Sequence, residues 1–209
     1  MKKVLFTLFF CGIIASGFAQ KTPANSFVVF LHTGYGYFPN KMPGLTNSSD
    51  RYANTLSSGI DYNAQLYYRH KLLMIGLLGS TYASTGHLKY SSDYILTTYI
   101  APQAGMNIPV NEQFAIAFNG GMGGMWYRNN SIVYEKERKV TGNTMGVNLG
   151  LKGIYNFSEH FGLSFEVSYI SAHLYLSQVK YHNEIFDVRY SGTNNLEQLA
   201  ISLGVKFSL

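Results

Sequence analysis

The stretch that decides the fold is "NLEQLAISLGVKFSL" (Asn195–Leu209). Leu199, Ile201, Leu203, Val205, Phe207 and Leu209 share one parity, while Gln198, Ala200, Ser202, Gly204, Lys206 and Ser208 share the other. Side chains that alternate with a period of two belong to a β-strand with one apolar face. That face points either into a protein core or out into lipid, and the choice between them sets the protein class.

The same alternation recurs along the chain. It appears in "SFVVFLHTGYGYF" (Ser26–Phe38), "TLSSGIDYNAQLYY" (Thr55–Tyr68) and, more weakly, "LLMIGLLGSTYA" (Leu72–Ala83). It continues in "YILTTYIAPQAGMN" (Tyr94–Asn107), "FAIAFNGGMGGMWY" (Phe114–Tyr127), "NTMGVNLGLKGIYN" (Asn143–Asn156) and "FGLSFEVSYISA" (Phe161–Ala172). With the closing stretch that makes eight strands, each near the roughly 9–11 residues that a tilted membrane strand requires. No helix and no second domain is expected. The connections alternate long and short. Pro39–Asn54, Ser84–Asp93, "RNNSIVYEKERKVTG" (Arg128–Gly142) and Leu176–Thr193 are long, whereas Arg69–Lys71, Pro109–Gln113 and "FSEH" (Phe157–His160) are short. Extracellular loops at one end and periplasmic turns at the other give that rhythm in outer-membrane barrels.

Composition agrees. Charged residues make up 13% of the chain, against roughly 25% in ordinary soluble domains. There are 21 Gly, 17 Tyr and 14 Phe. The formal net charge of +5 includes Lys2 and Lys3 and is too scattered to suggest nucleic acid. The opening "MKKVLFTLFFCGIIASGFAQ" has a charged start, a short apolar run and a small-x-small site at Gly17-Phe18-Ala19. It reads as a secretory signal peptide over residues 1–19, with the barrel domain over 20–209. A lipoprotein site at Cys11 is disfavoured, because Phe10 stands where a small residue is wanted. Cys11 is the only cysteine, so the mature chain has no disulfide.

The polar parity decides the direction of the greasy face. It holds Gly34, Gly36, Gly59, Gly105, Gly121, Gly123, Gly146, Gly150, Gly162 and Gly204 among Ser, Thr, Asn and Gln. A water-facing surface would carry more Lys and Glu; small residues suit the narrow interior of an eight-stranded barrel. The apolar parity therefore faces lipid. Aromatics cluster at both ends, predicting interfacial girdles that include Tyr35, Tyr37, Trp126, Tyr127, Tyr155, Phe161 and Phe207. The expected fold is all-β: a closed, eight-stranded, antiparallel, up-and-down transmembrane barrel.

With its signal peptide, the "GYGYF" ending of strand one, "YNFSEHFGLSFEVSY" (Tyr155–Tyr169) and the closing "LGVKFSL", the chain resembles small outer-membrane β-barrel proteins of Bacteroidetes-type bacteria. The architecture also resembles OmpA- and OmpX-type barrels. The resemblance implies a Gram-negative outer-membrane location, contact with membrane lipid and lipopolysaccharide, and insertion by the barrel-assembly machinery. Such chains commonly end on an aromatic residue; this one ends on Leu209, with Phe207 two positions back on the same face.

Signals for chemistry are weak. "GGMGG" (Gly120–Gly124) precedes no helix and so lacks the helix N-terminus of a phosphate loop. The six histidines show no close metal-ligand spacing, and neither metal nor cofactor is expected. A resemblance in size to lipid A deacylases makes His173, Ser177 and Glu184 candidates for a lipid-active site, but the tight His-x-Ser pairing is absent. The expected role is structural or surface-interacting, through the loops, without an open pore. An envelope or surface protein partner, as in an accessory part of a secretion or uptake assembly, is the other class of role. Polar parity also places Asp61, Arg69, Lys152, Glu166 and Lys206 in the lumen. There they are expected to form an ion-pair network centred on Glu166 with Lys152, joined by Lys206 or Arg69.

Overall fold

The computed structural model describes residues 25–46, 49–182, 184–187 and 194–209, with the side chain of residue 194 excepted. The signal-peptide expectation for residues 1–19 lies outside them. The elements are β1 (Asn25–Tyr37), α1 (Asp50–Leu56), β2 (Ser58–His70), β3 (Leu73–Leu88), β4 (Ser91–Pro109), β5 (Phe114–Val133), β6 (Lys136–Asn156), β7 (Phe161–Tyr181), β8 (Glu184–Asp187) and β9 (Asn194–Ser208). Neighbouring strands run antiparallel in the order β6-β5-β4-β3-β2-β1-β9-β7, and β6 pairs with β7 to complete a ring of eight. Among the described residues the short β8 pairs only with β7, outside that ring.

The closing strand β9 lies between β1 and β7, from Val28↔Ser208 to Tyr37↔Leu199 on one side and from Phe161↔Phe207 on the other. Its apolar parity faces outward, with Leu203 67% exposed, while Gln198, Ser202 and Lys206 are buried. The β1–β9 and β6–β7 pairings leave the ring of eight no free edge, as a hydrocarbon environment demands. Among the described residues no helix is long and apolar enough to cross a membrane.

The short turns are locally encoded. Asn111 Oδ1 accepts from the backbone N–H groups of Gln113 and Phe114, and Ser158 Oγ accepts from that of Phe161. At the opposite end the structure differs from expectation. Two stretches read as long loops, Ser84–Asp93 and Arg128–Gly142, are hairpins whose strands run on to two-residue tips at Lys89-Tyr90 and Tyr134-Glu135. The described part of Leu176–Thr193 likewise extends β7 and adds β8. Ladder hydrogen bonding continues beyond the lipid, but the outward residues no longer need to be apolar. The sequence signal therefore stops before the strand does.

Pro39–Asn54 is also not a plain loop. It contains most of α1, and the helix buries Tyr52, Ala53 and Leu56 inside the barrel mouth. The polar lumen inferred from the sequence is instead layered. Near the short turns Val28, Phe30, Tyr67, Met74, Ala115, Ala117 and Ile154 form an apolar layer. Toward the hairpin end a second apolar cluster joins Leu78, Tyr82, Tyr99 and Met125 on the wall to Phe38, Met42 and Leu56 of the inserted segment. Between the two clusters runs a polar belt.

Candidate functional site

The polar belt is built on a cross-strand pair. Lys152 on β6 lies directly opposite Glu166 on β7, and both side chains point into the lumen with Lys152 Nζ 3.0 Å from Glu166 Oε1. Lys152 also donates to Asn119 Oδ1 at 2.5 Å and lies over the rings of Phe30 and Tyr67, 5.4 and 5.5 Å from their centroids. Gln65 Nε2 donates to both Glu166 oxygens, at 3.0 and 2.9 Å. The ammonium and the carboxylate thus each have neutral partners beyond the ion pair, the condition under which buried charges are tolerated.

His32 completes the belt. Its Nδ1 lies 2.9 Å from Asn63 Oδ1 and 3.4 Å from Glu166 Oε2, and its Nε2 lies 2.8 Å from Ser164 Oγ. Two acceptors at Nδ1 assign the proton to that nitrogen, so Ser164 donates to Nε2. The sequence reading overlooked His32, although its parity with Val28, Phe30 and Gly34 in "SFVVFLHTGYGYF" marks it as inward. A second set joins Gln103, Asn148, Asn119 and Tyr99: Gln103 Nε2 donates to Asn148 Oδ1 at 2.7 Å, and Asn119 Nδ2 to Gln103 Oε1 at 3.0 Å.

All five predicted lumen charges are buried, but they form no single network. Lys206 and Arg69 do not reach Glu166. The register sets Lys206 opposite Gly162, four residues nearer the short turns, where it donates to Asn156 Oδ1 at 2.6 Å. Arg69 lies beside Ser26 in the register, and its Nε has no hydrogen-bond partner among the described residues. Asp61 accepts from Gln198 at 2.7 Å and Ser80 at 3.2 Å and makes no ion pair among the described residues. The parity was readable from sequence; the heights were not, because they depend on the stagger between strands.

The inserted segment seals the mouth. Tyr82 and Ser84 both donate to the Leu56 carbonyl at 2.9 Å, and Tyr127 donates to the Pro43 carbonyl at 2.7 Å. Asn129 and Arg138 hold the Gly44 carbonyl. Asp93 gathers the rest, accepting from Tyr52 at 2.9 Å, Asn129 at 2.7 Å and Thr46 at 2.5 Å. Burial, with the Asp93 carboxylate beside it, pushes the Tyr52 phenol up to about 12. The exposed Lys41–Asp50 ion pair joins the two ends of the segment to each other on its solvent side.

Tyr127 requires a correction. It is not a girdle residue: its side chain is 2% exposed and serves the seal. Trp126 beside it is 49% exposed and faces outward. Adjacent residues in a strand cannot share a face, so only one of the pair could meet lipid. Tyr35, Tyr37, Tyr155, Phe161 and Phe207 face outward with Trp126. At the short-turn end, ring contacts run from Tyr155 through Phe157 and Phe161 to Phe207.

The residues considered for a lipid-active site are not assembled into one. His173 Nδ1 pairs with Asn195 Oδ1 at 2.6 Å, Ser177 Oγ donates to the Thr141 carbonyl at 3.1 Å, and Glu184 lies on β8 opposite Tyr181. No nucleophile stands next to a base among these three, as such chemistry requires.

A closed antiparallel ring with an outward apolar band defines the class: this is the transmembrane β-barrel fold of outer-membrane proteins. The chain is similar to the solved structure of Neisserial surface protein A, at 14% identity over 87% of this chain and 96% of that one, with a TM-score of 0.52. It is also similar to the outer membrane protein OprG from Pseudomonas aeruginosa (12% identity, 91% and 99% covered, TM-score 0.50). A third likeness is to the outer membrane protease OmpT from Escherichia coli (7% identity, 93% and 100% covered, TM-score 0.50). At these identities the likeness is one of fold. No family model matches the chain, and no curated protein matches it by sequence.

Proposed function

We propose that this chain is an integral protein of a Gram-negative outer membrane, of the small-barrel kind its motifs resemble, that conducts nothing and acts through its outer surface. The observation that carries the reading is the seal. Phe38, Met42, Tyr52 and Leu56 fill the mouth, and the Lys152–Glu166 belt crosses the lumen beneath them. With the interior occupied, the surfaces left for interaction are the lipid-facing wall and the hairpin tips. Strands β5, β6 and β7, of 20, 21 and 21 residues, are about twice the length a membrane crossing needs. That excess carries the β5–β6 tip beyond the aromatic belt, where its Tyr134 stacks 6.0 Å from Tyr90 of the β3–β4 tip and both stand exposed. Large aromatic groups presented together to water suit contact with another surface. The barrel-assembly machinery would recognise the closing strand through Phe207, and lipopolysaccharide would surround the outer half of the wall.

The test is conductance. The full mature chain in planar bilayers at neutral pH should give no steady ohmic current, and Tyr82→Phe with Ser84→Ala, which frees the Leu56 carbonyl, should introduce flickering openings. Stable open-channel current from the unaltered protein would overturn the reading.

A further inference from the structure

Above the aromatic belt, the outward face of β4 to β7 carries an arrangement that folding alone does not favour. The register runs Tyr94↔Asn130, Asn130↔Lys139 and Lys139↔Lys180, so two lysines on adjacent strands stand directly opposite each other on one face. Both are exposed, and neither has a carboxylate within ion-pair distance among the described residues. Like charges directly opposed across strands are destabilising. Exposed Arg128 adds a third cation two residues below Asn130 on β5. The two lysines border a groove of about 750 Å³ that Tyr94, Asn130, Lys136 and His182 also line, with Glu135 and Glu137 among its other residues.

Height identifies the occupant. Trp126 faces outward two residues below Arg128, and its register partner is Asn143, four residues from Lys139 along β6. Four residues rise about 13 Å along a strand, or about 10 Å above the belt at the usual barrel tilt. Trp and Tyr rings mark the start of the headgroup layer, so these cations lie within that layer and point sideways into it. We propose that the Lys139–Lys180 face binds a phosphate on the headgroup of an outer-leaflet glycolipid, whose acyl chains lie against the apolar wall below Trp126. A phosphate monoester carries about −1.5 to −2 charges near neutral pH, which the two ammonium groups neutralise. The proposal rests on the outer-membrane reading above.

Trp126 is the only tryptophan in the chain and serves as a built-in reporter. The full mature chain, folded into phosphatidylcholine vesicles, would be titrated with diphosphoryl lipid A and, in parallel, with its dephosphorylated form. Trp126 emission should saturate with the phosphorylated lipid alone. Lys139→Gln and Lys180→Gln should each weaken the apparent affinity roughly fivefold, and the double variant more, while Lys89→Gln at the β3–β4 tip should leave it unchanged. Folding of each variant is checked by its β-sheet circular dichroism. Equal binding of both lipids, or unchanged binding by the folded double variant, would overturn the phosphate site and leave the barrel standing. Displacement of the lipid by inorganic pyrophosphate at equal concentration would assign the groove to a soluble anion and overturn the lipid assignment. Failure of the chain to insert into vesicles would overturn both.

Discussion

Lys152 and Glu166 show what a single residue must do in so narrow a lumen. Each is a buried charge with its counter-ion opposite, and each has neutral partners to satisfy what remains. Removing one partner strands the other, at about 3–5 kcal/mol. Glu166→Gln and Lys152→Met should therefore each destabilise strongly, and the double variant should regain part of the loss. Urea titrations of the protein folded into vesicles measure this cycle, and simple additivity would show that the two charges do not interact. Glycine has a spatial role beside them. A Cβ at Gly150 would lie 2.7 Å from Asn119 Oδ1 and 2.9 Å from Glu166 Oε1, so the belt exists only because that position is empty. On the opposite parity, Leu149 is 65% exposed to the lipid side. Leu149→Arg should cost about 2–4 kcal/mol near the midplane, and inward Ser168→Ala, next to Val167, far less. Equal costs in the same titration would mean that the two faces have been exchanged.

At the scale of elements, the wall was legible in the sequence and the seal was not. Lipid demands apolar side chains at every outward position, which is every second residue, so β9, β4 and β7 announce themselves. The inward residues of β3 include Met74, Leu78 and Tyr82, which blur the alternation because they pack against apolar layers instead of water. The partners of Leu78 and Tyr82, namely Phe38, Met42 and Leu56, are spread over a segment that reads as polar, and only the folded mouth brings them together. Tyr52 of α1 makes this seal sensitive to pH. Its folded pKa of about 12 lies above the ordinary value of 10.0, so the neutral phenol is the form the fold favours. Its contribution is complete below pH 10 and is lost as pH climbs from 10 through 12. The tyrosinate absorbance difference between the unaltered protein and Tyr52→Phe should titrate near pH 12; a midpoint at 10 would place Tyr52 in water. The β5–β6 tip is a different kind of element. Tyr134 and Glu135 sit at φ 47° and 64°, a left-handed pair that two-residue hairpins usually give to Asn-Gly. Tyr134→Asn with Glu135→Gly should raise stability by about 1–2 kcal/mol. No gain in the same urea titrations would show that the tip is not held in that conformation.

Taken whole, the molecule is a sheet closed on itself and filled from within. The β1–β9 and β6–β7 pairings remove every edge of the ring, the polar belt and two apolar layers occupy the lumen, and the outward parity is left to lipid. A soluble eight-stranded barrel would have the same ring and the opposite parity. The lipid-facing wall and the filled lumen both follow from that one choice of direction, and the closing strand reports it most cleanly. Because Cys11 is the only cysteine and precedes the barrel, single cysteines can be placed one at a time from Leu199 to Ser208. Each would carry a fluorophore, in vesicles containing a quencher confined to the hydrocarbon. Quenching should rise and fall with a period of two, strongest at Ile201, Leu203 and Val205 and weak at Ser202, Gly204 and Lys206. Strong quenching at the even positions, or none at either, would contradict a lipid-facing apolar parity.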